Sequence, residues 1–327
     1  MSASLDALDP QLRRFVEDVC GEGARLRAGR ALDWPQRREI AAQVRAPWCA
    51  GGPAMQHVED HGLEAEGQAF RVRVLRPATA PKNAPALFYL HGGGWCMFSI
   101  DTHDRLLRTY AHEAGVVVVA IDYALSPEHR YPLALQQCVA ALAWLRAQAA
   151  TLGIDAGQLA LGGDSAGGNL AVATALRLRQ AQALSGVRAL LLNYGALDTR
   201  ISAAAARLGT PEDLLTVAEM EEFWTSYLGP DAMSNDDPLA QPLRADLHGL
   251  PPALLLYGDR DVLGEQSVLM AQRLREAGGQ VELRRYLGAP HSFVEAMAVS
   301  EQARAAVATG AAWLRRHLVS SSQESAA

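Results

Sequence analysis

Gly163-Asp164-Ser165-Ala166-Gly167 presents one serine between two glycines, directly after the short apolar run Leu159-Ala160-Leu161. The following stretch, 169–180, carries alanine and leucine at helical spacing. A serine on a sharp strand-to-helix turn is exposed at a strained backbone position, and flanking glycines are needed because a nearby Cβ would strike the strand or the helix. Such a serine can attack an electrophilic carbonyl, provided that a base removes its proton and that donors stabilise the developing oxyanion.

Candidate donors stand upstream in His91-Gly92-Gly93-Gly94-Trp95, at the end of the apolar run Ala86-Leu87-Phe88-Tyr89-Leu90. Three consecutive glycines let successive N–H groups turn toward one point, and the N–H after the serine can join them. The expected oxyanion donors are the amides of Gly93, Gly94 and Ala166. A phosphate cradle is excluded by composition. Gly162 to Gly167 leads into Gly168-Asn169 where a phosphate loop would carry Lys followed by Ser or Thr.

In a strand–turn–helix serine site the acid and then the base follow the serine along the chain. Only His248, His291 and His317 lie downstream of Ser165. His317 sits in a terminal amphipathic stretch, and His248 precedes Gly249-Leu250-Pro251-Pro252 with no acidic residue placed to help it. His291, in Gly288-Ala289-Pro290-His291-Ser292-Phe293, occupies a loop after a strand-like segment and is the expected base. Asp259 and Asp261 both follow the apolar run 253–257, about 30 residues before His291, where the acid belongs. One of them can serve as the acid while the other caps the helix that follows.

Strand-like segments at 58–63, 69–75, 86–91, 116–121, 159–162, 187–193, 253–257 and 281–286 read as eight strands. Helix-length stretches at 102–114, 133–149, 166–181, 265–277 and 301–318 separate or follow them. Continuous apolar strands alternating with helices predict an α/β fold, a mostly parallel sheet covered by helices on both faces. Two regions break the alternation. Residues 1–50 carry amphipathic patterns at 11–20 and 35–44, and 198–250 is inserted between the sixth and seventh strands. Both are expected to form a helical cap over the strand ends that carry Ser165, with 51–327 as the catalytic domain. Residues 319–327 read as a frayed tail.

The formal net charge of −6 and the absence of a basic stripe argue against nucleic-acid binding. The first ten residues lack a positive, then apolar, signal pattern, and the run 116–121 is too short to span a membrane. Four scattered cysteines, Cys20, Cys49, Cys96 and Cys138, show no paired spacing and read as free thiols of a cytoplasmic protein. Asp101-Thr102-His103-Asp104 resembles a metal cluster in composition, but it opens a helix, where Asp and Thr serve as caps. No metal or other cofactor is expected. Asp164 should anchor the serine turn by hydrogen bonds, with Glu128 and Asp122 buttressing the glycine loop.

Taken jointly, His91-Gly92-Gly93-Gly94-Trp95, Asp122-Tyr123-Ala124-Leu125-Ser126-Pro127-Glu128 and Gly163-Asp164-Ser165-Ala166-Gly167-Gly168-Asn169 resemble the bacterial hormone-sensitive-lipase-like esterases. Gly249-Leu250-Pro251-Pro252-Ala253, Asp261-Val262-Leu263 and the His291 loop extend the resemblance over about residues 57 to 318. It implies an α/β-hydrolase fold with Ser165, Asp261 and His291 as the catalytic triad, and the Val-Leu after Asp261 selects it over Asp259. Glu265 stands where many members have a second aspartate, and Asn193-Tyr194-Gly195 replaces a common Tyr-Pro. The latter stretch and Leu125-Ser126-Pro127-Glu128 look most like the acetyl-esterase branch. That likeness implies hydrolysis of small-molecule esters with short acyl groups, acetyl to butyryl or hexanoyl. The same triad could serve an amidase or peptidase, and a ligand-binding scaffold without activity is the other alternative. Trp95, Phe98, Tyr123, Tyr194, Trp224 and Tyr227 are expected to line the substrate pocket. The chain is expected to act alone or as a homodimer, without a membrane.

Overall fold

A computed structural model describes residues 7–318 of the chain; the expected tail at 319–327 lies outside the described residues. Eight strands form a single sheet: β1 (His57–Ala65), β2 (Gln68–Arg76), β3 (Ala84–Leu90), β4 (Val117–Asp122), β5 (Ile154–Asp164), β6 (Val187–Asn193), β7 (Ala253–Arg260) and β8 (Val281–Pro290). Their spatial order is β1-β2-β4-β3-β5-β6-β7-β8. The pairs β1–β2 and β2–β4 are antiparallel, and all others are parallel.

The antiparallel end follows from a two-residue turn. Glu66 (φ 51°) and Gly67 (φ 71°) both adopt left-handed backbone, as a tight hairpin whose twist matches its strands requires. The outermost strand β1 is mostly exposed and carries Glu59, Asp60 and Glu64, charges that discourage pairing with another edge. Arg73 from β2 holds Asp60 and Asp101, tying this edge to the start of the first crossover helix. The central strands are covered on both faces, which explains their unbroken apolar sequences: all seven residues of β3 are buried.

Residues alternating along the strands feed two cores. Ala86, Phe88 and Leu90 face one layer, built with helices α4 (Leu133–Leu152), α5 (Ala166–Gln180) and α7 (Gly264–Glu276). Leu87 and Tyr89 face the other, built with α3 (Asp104–Ala114) and α8 (Glu301–Leu318).

The amino-terminal region joins the second layer. Helix α1 (Pro10–Arg27) is capped by Asp9, which accepts from the N–H groups of Gln11 and Leu12, with Pro10 at its first position. It runs past the expected end at residue 20 to Arg27, and its buried face, Val16, Val19 and Gly23, lies in the same core as Val44 of α2 (Trp34–Cys49). Helix α2 starts with a reciprocal cap between Asp33 and Gln36 and continues to Cys49 through Pro47, which sits in the last turn and there forfeits a single backbone bond. In the region 198–250 the one α-helix among short 3-10 turns is α6 (Val217–Leu228), opened by a Thr216–Glu219 capping box. Arg37 of α2 grips Glu222 of α6, joining the amino-terminal and inserted regions directly.

Phe15 of α1 is fully buried, with its ring edge-on to Trp48 at 4.8 Å. Phe15→Ala is expected to cost about 3 kcal/mol through lost burial and the cavity left behind. A clear drop in the urea unfolding midpoint is the predicted reading; an unchanged midpoint would show that α1 is not part of the cooperative core.

Candidate active site

Strand β5 ends at Asp164 and α5 starts at Ala166, so Ser165 alone makes the turn, at φ 52° and ψ −118°. A side-chain-bearing residue in this region is strained by about 1–3 kcal/mol and persists only where its surroundings hold it. Here they do. The Ser165 N–H donates to the Asn193 carbonyl on β6 (2.9 Å), and its own carbonyl accepts from Ala196 (3.1 Å) and Asn169 (3.2 Å). The flanking glycines allow the approach. A Cβ on Gly163 would lie 2.4 Å from the Gly167 carbonyl carbon, and one on Gly167 would lie 1.9 Å from the Leu90 carbonyl oxygen.

The Ser165 Oγ is 3.0 Å from Nε2 of His291, whose Nδ1 is 2.8 Å from Oδ2 of Asp261. These partners set the tautomer: Nδ1–H donates to the carboxylate and leaves Nε2 to accept from the serine hydroxyl. Asp261 is fully buried, and its second oxygen accepts from the Leu263 N–H at 2.8 Å. It therefore also steadies the turn into α7. Asp259 does not cap that helix; it accepts from the Gly288 N–H and from Arg285, pinning the end of β8 just before the histidine loop. Two further contacts hold His291. The Tyr194 ring lies edge-on at 4.9 Å, and the His291 N–H donates to the Asp213 carbonyl of the inserted region at 3.2 Å. Arg260, beside Asp261, binds the carboxylate of Asp213 at 2.8 Å.

After β3 the glycine run turns back on itself. Gly93 (φ 111°) and Gly94 (φ 59°) take backbone that other residues avoid, and the Gly93 carbonyl accepts from Cys96 and Met97. A Cβ on Gly93 would meet the Met97 carbonyl oxygen at 2.2 Å, and one on Gly94 would meet the Phe223 ring at 2.4 Å. Arg38 of α2 braces the far side, donating to the Cys96 and Ser126 carbonyls and to both oxygens of Glu128. Asp122 accepts from the Ile100 N–H and from Arg71. The thiol of Cys96 is pushed up to about 12 by burial and behaves as a small apolar group.

Asp164 does more than anchor the turn. Its carboxylate accepts from the Tyr89 hydroxyl (2.9 Å) and the Gly92 N–H (3.1 Å) and lies 3.3 Å from Nε2 of His103, all within the protein interior. Burial opposes its charge, but His103 and the surrounding donors outweigh burial and keep the carboxyl below its usual range. In Asp101-Thr102-His103-Asp104 the side chains diverge: Asp101 turns to Arg71 and Arg73, Asp104 to Arg108, and His103 inward to Asp164. Sequence reading missed this pair because a histidine in a polar run gives no sign of being buried.

A cavity of about 670 Å³ lies between α1, α2 and the inserted region, walled by Ile40, Val44, Met97, Phe98, Leu214 and Phe223 among others. It reaches the glycine loop at Phe98 and Phe223 and the His291 side at Leu214, next to Asp213. Of the six expected pocket side chains, Phe98 lines this cavity. Trp95, Trp224 and Tyr227 correct the expectation. Trp95 is stacked flat on Tyr227 at 4.4 Å and packed on Trp224 at 4.4 Å, and all three side chains are fully buried. Trp224 borders a separate space of about 300 Å³. Tyr123 lies flat on the His91 ring and donates to the His91 carbonyl, and Tyr194 packs on His291. Leu214, Phe223 and Ile40 went unnoticed in the sequence, where nothing in their spacing distinguishes a cavity wall from a core.

Residues 87–295 match the model of a family described by its alpha/beta hydrolase fold. Over 258 residues the chain is 34% identical to the ethyl acetate hydrolase of Pseudomonas putida, covering 77% of this chain and 80% of that protein. Its structure superposes on a hyperthermophilic esterase from the archaeon Pyrobaculum calidifontis with a TM-score of 0.87 and 33% identity, covering 95% of this chain and 98% of that one. A thermostable esterase from Pseudomonas putida gives 0.83 and 30%, over 97% and 99% of the two chains. With a serine turn, a glycine loop and a mostly parallel eight-stranded sheet in the same arrangement, the chain belongs to the alpha/beta-hydrolase family and is one of its hormone-sensitive-lipase-like esterases.

Proposed function

We propose that this carboxylic ester hydrolase works by two-step acyl transfer, with Ser165 as nucleophile, His291 as base and Asp261 as the orienting acid. The observation that carries the reading is the unbroken chain from Ser165 Oγ through both ring nitrogens of His291 to a fully buried carboxylate, at 3.0 and 2.8 Å. His291 takes the serine proton as Oγ attacks the ester carbonyl, and Asp261 stabilises the imidazolium that forms. The Gly93, Gly94 and Ala166 amides receive the charge on the carbonyl oxygen. His291 then returns its proton to the departing alcohol, and water attacks the acyl-enzyme by the same route in reverse. The regions 1–50 and 198–250 act as the cap, excluding water and shaping the pocket through Phe98, Leu214 and Phe223.

The preferred acyl groups in this reading are short, acetyl to butyryl or hexanoyl. Support comes from the Pseudomonas putida relative, an ethyl acetate hydrolase.

Hydrolysis of p-nitrophenyl esters from acetate to laurate tests both parts. Activity should peak at acetate to hexanoate and fall for the longer chains; a peak at laurate would overturn the short-chain reading. Ser165→Ala should lose on the order of 10⁴-fold or more in kcat, the residue of activity coming from the oxyanion donors and substrate binding. Near wild-type turnover by that variant would remove Ser165 from the mechanism.

A further inference from the structure

His103 takes no part in the chemistry above, yet the ring is almost fully buried and both of its nitrogens face hydrogen-bond acceptors. On one side Nε2 meets Asp164 Oδ2 at 3.3 Å. On the other, Nδ1 lies 3.2 Å from the Ser99 carbonyl and 3.0 Å from Thr102 Oγ1, whose own proton goes to that same carbonyl at 2.8 Å. A neutral imidazole can donate to Asp164 and accept at Nδ1 only by drawing the Thr102 hydroxyl proton away from the Ser99 carbonyl; an imidazolium donates on both sides and leaves the Thr102–Ser99 bond in place.

The two sides belong to the two ends of one loop. Asp164 immediately precedes Ser165, and its other oxygen accepts from Gly92 N–H and Tyr89 Oη–H. Gly92 enters the glycine run whose next two amides are the proposed oxyanion donors, and Ser99 leaves it. There is no slack between them: a Cβ on Gly92 would sit 2.2 Å from Asp164 Oδ2.

We propose that His103, as an imidazolium, is a positioning residue that clamps both ends of the oxyanion loop, through Asp164 and Ser99, at the distance from Ser165 that the transition state needs. The proposal rests on the serine-esterase reading above.

The neighbours that bear on the charge are placed to keep it. Asp164 faces it from the end of β5, and Glu295, already bound to Arg45 of α2, faces it from the 3-10 turn Phe293–Ala298. Opposing it are the His91 ring at 5.6 Å and Arg105 of α3, whose guanidinium is turned to the Ala50 carbonyl; the Cys49 thiol nearby is raised by burial and neutral. Burial itself disfavours the cation, but Asp164 outweighs it and holds His103 above the ordinary imidazole range. His91, desolvated and repelled by the His103 charge, is pushed down and stays neutral. The sign for catalysis follows. The clamp is complete below the raised His103 value and is lost as pH rises through it.

His103→Gln tests this, since an amide N–H can replace the bond to Asp164 but cannot supply the charge or both donors. Initial rates on p-nitrophenyl acetate from about pH 6 to 10 should show wild-type kcat falling on the alkaline side. His103→Gln should lose about 10- to 100-fold in kcat with KM within about two-fold, because only the transition state feels the oxyanion donors. Its remaining activity should lack the alkaline limb, and His103→Ala should fall further. A folded His103→Gln with wild-type kcat, or one whose loss lies in KM, would overturn the proposal. If neither variant folds, the wild-type profile decides: a limb supports the clamp and a flat alkaline kcat refutes it. A wild type that turns over no ester would instead strike the esterase reading, leaving the two failures distinguishable.

Discussion

Ser165 holds a backbone conformation, φ 52° and ψ −118°, that an isolated serine would leave at once. Three neighbouring strands prevent it: β5 delivers the residue, β6 accepts its N–H through Asn193, and β3 brings its last carbonyl to within contact of Gly167. The approach of the end of β3 to this turn needs bare backbone at Gly163, at Gly167 and at Gly92. The close packing that strains the serine also sets the glycine loop beside it, so the proposed nucleophile and the proposed oxyanion donors are positioned by one set of contacts and not by two. The Asp164 carboxylate, bonded to Tyr89, Gly92 and His103, ties the set together from beneath.

The remaining parts of the site arrive on the ends of β7 and β8, where a parallel sheet delivers its loops on one side. Asp261 and His291 are each fastened by more than their mutual bond, Asp261 by the Leu263 N–H and His291 by Tyr194 and the Asp213 carbonyl. Through Asp213 and Arg260 the inserted region touches both loops, and through Arg37 and Glu222 it is joined to α2. The cavity walls and the histidine loop therefore share supports, so the geometry at His291 responds to how the region above it is seated.

Much of this was legible in one dimension. Continuous apolar runs such as Ala86-Leu87-Phe88-Tyr89-Leu90 predicted buried strands because both faces of a parallel sheet are covered, and glycine spacing around Ser165 predicted a turn without naming its neighbours. The order serine, aspartate, histidine singled out residues that the fold brings within 3.0 Å of one another, although Asp259 and Asp261 stayed ambiguous until family likeness entered. Strand ends were read short where polar residues begin: β5 starts at Ile154, paired with Ala84, and runs through the half-buried Asp155, Gly157 and Gln158 before its register resumes at Leu159. The pocket was the least legible part. Trp95, Trp224 and Tyr227 looked like walls because aromatic rings often are, but ring-on-ring packing depends on how α6 settles against the glycine loop, which no spacing encodes. The His103–Asp164 pair was hidden for the same reason, and a histidine in a polar run looks like a helix start until its burial is known.

The central claim is that Ser165 attacks the acyl carbon and carries the acyl group. A p-nitrophenyl alkylphosphonate mimics the tetrahedral state and transfers its phosphonyl group to a serine activated in this way. Intact-mass spectrometry after treatment, followed by peptide mapping, measures this directly. The account predicts one phosphonyl adduct per chain, located on Ser165, with equimolar release of p-nitrophenol and loss of esterase activity in step. A folded, ester-hydrolysing protein that gains no adduct, or gains one on another residue as activity disappears, would contradict it.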